Sequence, residues 1–154
     1  MNRKLVSFDW AIKKLLRSKA NFGILEGFLS ELLFTDIEIL EVLESEGNKD
    51  TENDKYNRVD LKVKDKNQKI IIIELQFSRQ LDYMQRILYG TSKTVAEQLK
   101  EGEPYSGISK IISISILYFL YGEGSDYIYR GTTNFIGMHN HQELRLSEQQ
   151  KDLY

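Results

Sequence analysis

The sequence predicts an α/β domain in which helices pack on a mixed sheet, and three stretches carry that prediction. "RVDLKVKD" alternates apolar and polar residues with period two, as a strand with one covered face does. "KIIIIELQFS" is a continuous apolar run, the pattern of a strand buried on both faces. "RQLDYMQRILYGTSKTVAEQLKEG" has helical spacing and leads into "SKIISISILYFL", a second run rich in β-branched residues.

In chain order, residues 7–34 read as helical. Phe8, Ala11, Ile12, Leu15 and Leu16 recur at helical spacing, "SKANFG" breaks the pattern, and Ile24, Leu25, Phe28, Leu29, Leu32 and Leu33 resume it on one side. "DIEILEVLES" follows, with Ile37, Ile39 and Val42 set among Glu38 and Glu41; it reads as an edge strand, with a short helix as the alternative. From Asp36 to Asp54 eight acids stand against Lys49 alone, so "SEGNKDTENDK" is a solvated loop.

In the next strand Val59, Leu61 and Val63 share one face while Asp60, Lys62 and Lys64 share the other. "KNQ" turns the chain into the isoleucine run, giving an antiparallel hairpin. The long helix, residues 79–102, takes Leu81, Met84, Leu88, Val95 and Leu99 as its apolar stripe and stops at Gly102. After the strand that begins near Lys110, "DYIYRGTTNFIGMH" suggests one or two more strands, and "NHQELRLSEQQKDLY" is a polar tail.

The chain has 154 residues, 41% of them hydrophobic, which suits a single domain spanning 1–154 with its core at about 7–120. A net charge of −2 gives no global basicity to announce a polyanion partner. The charge is polarised, however. Arg3, Lys4, Lys13, Lys14, Arg17 and Lys19 face only Asp9 at the start, and the acidic loop follows. Cysteine is absent, which excludes disulfides, thiolate zinc sites and a cysteine nucleophile and suits a reducing, cytoplasmic setting. No apolar run approaches the ~20 residues of a membrane helix.

Glu74 is the residue that demands explanation, because a carboxylate inside "IIIIELQF" should be expensive to bury. Across a short hairpin, Asp60 and Glu74 can meet at one end of the sheet, where like charges repel. A divalent cation removes both penalties: Mg²⁺ takes one or two carboxylates together with waters and phosphate oxygens. Gln76 points to the same face as Glu74, and the Leu75 carbonyl can complete a metal shell. The competing reading is a salt bridge from Glu74 to Arg86 or Arg58.

Arg79, Arg86, Lys93 and Lys100 recur every seven residues, nearly two helical turns, and so line one helix face that can track phosphates. The bland alternative is a solvated face paired with Asp82, Glu97 or Glu101. His139 and His141 in "HNH" read better as surface histidines than as ligands. Tyr83, Tyr89 and Tyr105 read better as packing residues than as base-stacking platforms.

These pieces, "FDWAIKKLL", "RVDLKV", "IIIIELQ", "QRILYGTSK" and "GEPYSGISKIISISIL", in this order resemble the PD-(D/E)XK nuclease family transposases, the recombination-promoting nucleases, over residues 7–120. "IGMHNHQELRL" resembles the family's late strand. The resemblance implies a restriction-endonuclease-like core and a metal-dependent DNA endonuclease that uses Mg²⁺, with Mn²⁺ able to substitute. It implies Asp60 and Glu74 as metal ligands, with Gln76 standing where the wider superfamily often has lysine. It also implies an acid from the first helix, for which Glu26 is the candidate ahead of Glu31 and Asp9. Arg79, Arg86 and Lys93 are the candidate DNA contacts. "VD" replaces "PD" here, which leaves the ligand in place. Family members are often longer, so a short form, an isolated domain or a truncated copy is expected. The alternative function is a catalytically inactive remnant that binds nucleic acid or forms a homodimer, with the edge near residue 37 as one contact.

Overall fold

The computed structural model describes residues 21–43, 60–145 and 147. The expected helix around Phe8–Leu16, Asp9, the early cations, Arg58 and most of the acidic loop lie outside these residues.

The elements are helix α1 (Phe22–Leu33), strands β1 (Ile39–Leu43), β2 (Leu61–Asp65) and β3 (Ile70–Gln76), helix α2 (Tyr83–Ala96) and strand β4 (Ile111–Leu117). The sheet order is β1-β2-β3-β4. β1, β2 and β3 pair antiparallel, while β4 joins β3 in parallel after the α2 crossover. The sheet is therefore mixed and the fold α/β, of the restriction-endonuclease-like kind.

One sheet face is apolar. Leu61, Val63, Ile71, Ile73, Leu75 and Ile114 pack with Leu25 and Leu29 of α1. The expected α1 stripe is only partly inward, since Ile24 and Phe28 face solvent. The other face is mixed. Ile70 and Ile72 are buried there, but Glu74 follows them in β3 and Ser113 and Ser115 stand beside them in β4.

That polar character decides how α2 packs. Of the expected stripe, Leu81, Met84, Leu88 and Val95 are exposed and Leu99 is half-buried, while Tyr83, Gly90 and Thr94 are buried instead. Ile87 joins them beside Ile72 and Ser113. Both sets have helical spacing. A helix covering Glu74 and two serines is chosen by polar fit, which a search for the greasiest stripe overlooks.

α2 is also shorter than expected. It ends at Ala96 because Gln98 turns to the backbone of Ser109, accepting its N–H at 2.7 Å and donating to its carbonyl at 3.3 Å. Gly102 takes the left-handed conformation, φ +86°, in the turn that follows. Arg79 thus precedes the helix and Lys100 follows it, so the four cations do not share one helix face.

The β2–β3 hairpin is closed by Asp65, whose buried Oδ1 accepts the N–H groups of Asn67 and Lys69 at 2.9 and 2.8 Å. At the other end of the chain, the expected late strands reduce to an isolated bridge between Ile136 and Glu143.

Candidate metal and nucleic-acid site

The hairpin register pairs Leu61 with Ile73, so Asp60, one residue earlier, lies opposite Glu74, one residue later. Asp60 bends over the strand end, and its Oδ2 accepts the Leu75 N–H at 2.7 Å. A strand residue sends its N–H and C=O to the same edge, so the Leu75 carbonyl also leaves toward Asp60. The next carbonyl, that of Gln76, accepts the Tyr118 N–H on the opposite edge at 3.0 Å, as the alternation requires.

Glu74 is buried, only 6% exposed. Burial pushes its carboxyl above the ordinary range, the Arg86 guanidinium pulls it down, and the Asp60 charge adds to the rise. The Arg86 contact is loose, with Nη2 at 3.5 Å from Oε1. Tyr83 is fully buried, and its hydroxyl lies near Ser115 and Glu74 without completing a hydrogen bond of good geometry. Burial raises the Tyr83 hydroxyl as well. Two carboxylates and a carbonyl on the same edge form a donor set with the hard oxygen chemistry and negative charge that suit Mg²⁺, which Arg86 partly neutralises.

The structure therefore brings together Asp60, Glu74 and Leu75, with Gln76 beside them. The Gln76 side chain donates to the Ser78 carbonyl at 2.9 Å. Arg86 reaches Glu74, as the salt-bridge reading anticipated. Glu26 does not join them. Its Oε1 accepts the Ile39 N–H at 2.8 Å and ties α1 to β1. Ile39 pairs with Asp65, at the far end of β2, roughly 16 Å of strand from Asp60. Glu31 is exposed on α1. Among the described residues no group of three or more His, Cys, Asp and Glu side chains forms a metal centre, His139 and His141 included. Arg79 is exposed beyond β3, and Lys93 sits two turns along α2 from Arg86.

Of the three tyrosines expected to pack, one does so, and one aromatic pair was not expected at all. Tyr83 is the buried tyrosine behind Glu74, whereas Tyr105 is exposed and Tyr89 partly so. Phe77 and Tyr118, which follow the paired ends of β3 and β4, stack at 4.3 Å on the same rim as the carboxylates. The register of a parallel pair joins them, and no local spacing reveals it.

A family model described as PD-(D/E)XK nuclease family transposase matches residues 6–152. The chain belongs to this family. The match runs past the core expected at 7–120 into the tail, and it makes a nuclease- or transposase-related function the coarse assignment for this member of the PD-(D/E)XK nucleases. No curated protein and no solved structure matches the chain. No helix among the described residues is long and apolar enough to cross a membrane.

Proposed function

We propose that this PD-(D/E)XK protein is a metal-dependent DNA endonuclease that hydrolyses phosphodiester bonds at the Asp60–Glu74 end of the sheet. The observation that carries the reading is the placement of two carboxylates and the Leu75 carbonyl on one strand end, with Glu74 raised by burial and by Asp60. Asp60, Glu74 and the Leu75 carbonyl would hold Mg²⁺ or Mn²⁺. When bound, such a cation supplies a Lewis acid for the phosphate and acidifies water.

The chain's own groups do the remainder. Asp60 stays oriented by the Leu75 N–H, so its second oxygen is presented at a fixed angle. Gln76 exchanges its Ser78 contact for a phosphate oxygen or water. Arg79 and Lys93 steer and hold the flanking phosphates, which fixes register without reading sequence. The family and its DNA substrate fit a cytoplasmic protein.

The test is plasmid nicking by the purified chain with Mg²⁺, Mn²⁺ or EDTA, alongside Asp60→Ala and Glu74→Ala. Metal-dependent nicking should fall by about a hundredfold or more in each variant. Equal nicking by all three proteins overturns the reading. Metal-independent DNA binding with no nicking would favour the inactive remnant, for which the missing third acid among the described residues is the supporting observation.

A further inference from the structure

Two carboxylates and a divalent cation balance one another, but a phosphodiester arriving at the site brings a further negative charge. In the attack on phosphorus a second charge builds on the non-bridging oxygens. A cation from the protein is needed there, and β3 does not supply one. Gln76, the residue on the Glu74 face beyond it, is neutral and engaged with Ser78. Lys62, on the same sheet face, is committed to Glu97 at 3.1 Å with its side chain only 13% exposed. Lys93 is about 10 Å further along α2.

We propose, resting on the endonuclease reading, that Arg86 is the catalytic cation of the site, a guanidinium delivered from α2 that rests against Glu74 and moves to a non-bridging oxygen of the scissile phosphate. Two of its contacts suit such an exchange. Nη2 is 3.5 Å from Glu74 Oε1 and Nη1 is 3.4 Å from Gln80 Oε1, both at the outer limit of a polar contact. The side chain is 38% exposed while its carboxylate partner is 8% exposed, so the guanidinium borders solvent at the point where Glu74 does not. A guanidinium presents a planar fork of N–H donors that matches phosphate oxygens two at a time. Arg86 would exchange Glu74 for a phosphate oxygen once a cation engaged that carboxylate, and its place at the same strand end keeps the fork within reach of a phosphate there.

The step balances without another reactant. The oxygen of water bonds to phosphorus and its proton passes to solvent. The bond from phosphorus to the leaving sugar oxygen breaks, its electron pair stays on that oxygen, and water protonates it. Arg86 faces the charge that accumulates on the non-bridging oxygens between these events.

The experiment uses the full chain, a short labelled duplex under single-turnover conditions with Mn²⁺, and calorimetric Mn²⁺ binding without DNA. Arg86→Ala should cleave about a hundredfold more slowly or worse, while its duplex affinity shifts by less than about threefold. Millimolar guanidinium should restore part of its rate. Its Mn²⁺ affinity should equal or exceed that of the unaltered chain, because a competing cation has gone. Arg86→Lys, which keeps charge and loses the fork, should fall between the two. Cleavage by Arg86→Ala within about threefold of the unaltered chain, or a loss matched by lost duplex affinity and not relieved by guanidinium, overturns the proposal. If Arg86→Ala does not fold, Arg86→Lys decides: a rate equal to that of the unaltered chain overturns it. An unaltered chain that never cleaves overturns the endonuclease reading and this proposal together, whereas comparable cleavage rates for both proteins overturn this proposal alone.

Discussion

Glu74 concentrates the opposing forces of the site in one side chain. Its carboxyl is raised by burial first, lowered by Arg86, and raised again by Asp60. A raised acid favours the fold in its protonated form. That contribution is complete below the unfolded carboxylate value and is lost as pH rises through the raised folded value. The metal-free protein should therefore lose stability as pH climbs out of the ordinary carboxylate range into the raised one. Glu74→Gln should remove that slope and melt higher than the unaltered chain at the alkaline side of it. Thermal melts in EDTA across pH check this, and saturating Mn²⁺ should abolish or reverse the slope because a cation favours the charged form. The Tyr83 hydroxyl, buried without a partner of good geometry, is a liability of the same kind. Tyr83→Phe should leave stability unchanged or raise it by about 1 kcal/mol, since removing an unsatisfied buried group relieves its desolvation penalty.

At the scale of elements, the hairpin is the rigid part of the site, and its turn sets the register that places Asp60 opposite Glu74. Asp65 accepts two turn N–H groups, so Asp65→Ala should cost about 2–4 kcal/mol in urea unfolding. Gln68 adopts φ +65°, where a side chain is strained, so Gln68→Gly should add about 0.5–1 kcal/mol. This hairpin was legible in the sequence because a strict alternation, a polar turn and an isoleucine run point to one arrangement. The Asp60–Glu74 pairing followed from it by counting across the turn. The inward face of α2 was not legible, because Tyr83, Ile87, Gly90 and Thr94 compete with an equally periodic and greasier set that the polar sheet face rejects. Glu26 was misread for a related reason. An acid on the first helix looks available for metal, whereas the start of β1 needs an acceptor for the Ile39 N–H and takes this one.

Across the whole molecule the sheet divides the work. The α1 side carries the contiguous apolar core, and the α2 side, with its carboxylates and serines, is where the proposed chemistry would lie. On the endonuclease reading, a net charge of −2 leaves DNA to be held by local cations rather than by the global field. Duplex affinity should therefore fall with salt with a slope near −0.9 per phosphate contacted. Arg79→Ala should shallow that slope by about one contact while leaving cleavage at saturating DNA nearly intact, a separation that binding titrations at several salt concentrations would read.

In the proposed site Asp60, Glu74 and the Leu75 carbonyl would together hold one divalent cation. Anomalous diffraction from crystals grown with Mn²⁺ tests this most directly. A single strong peak is expected among these three groups, absent from Glu74→Gln crystals. Crystals that show no peak there, or the same peak with Glu74 replaced, would contradict it.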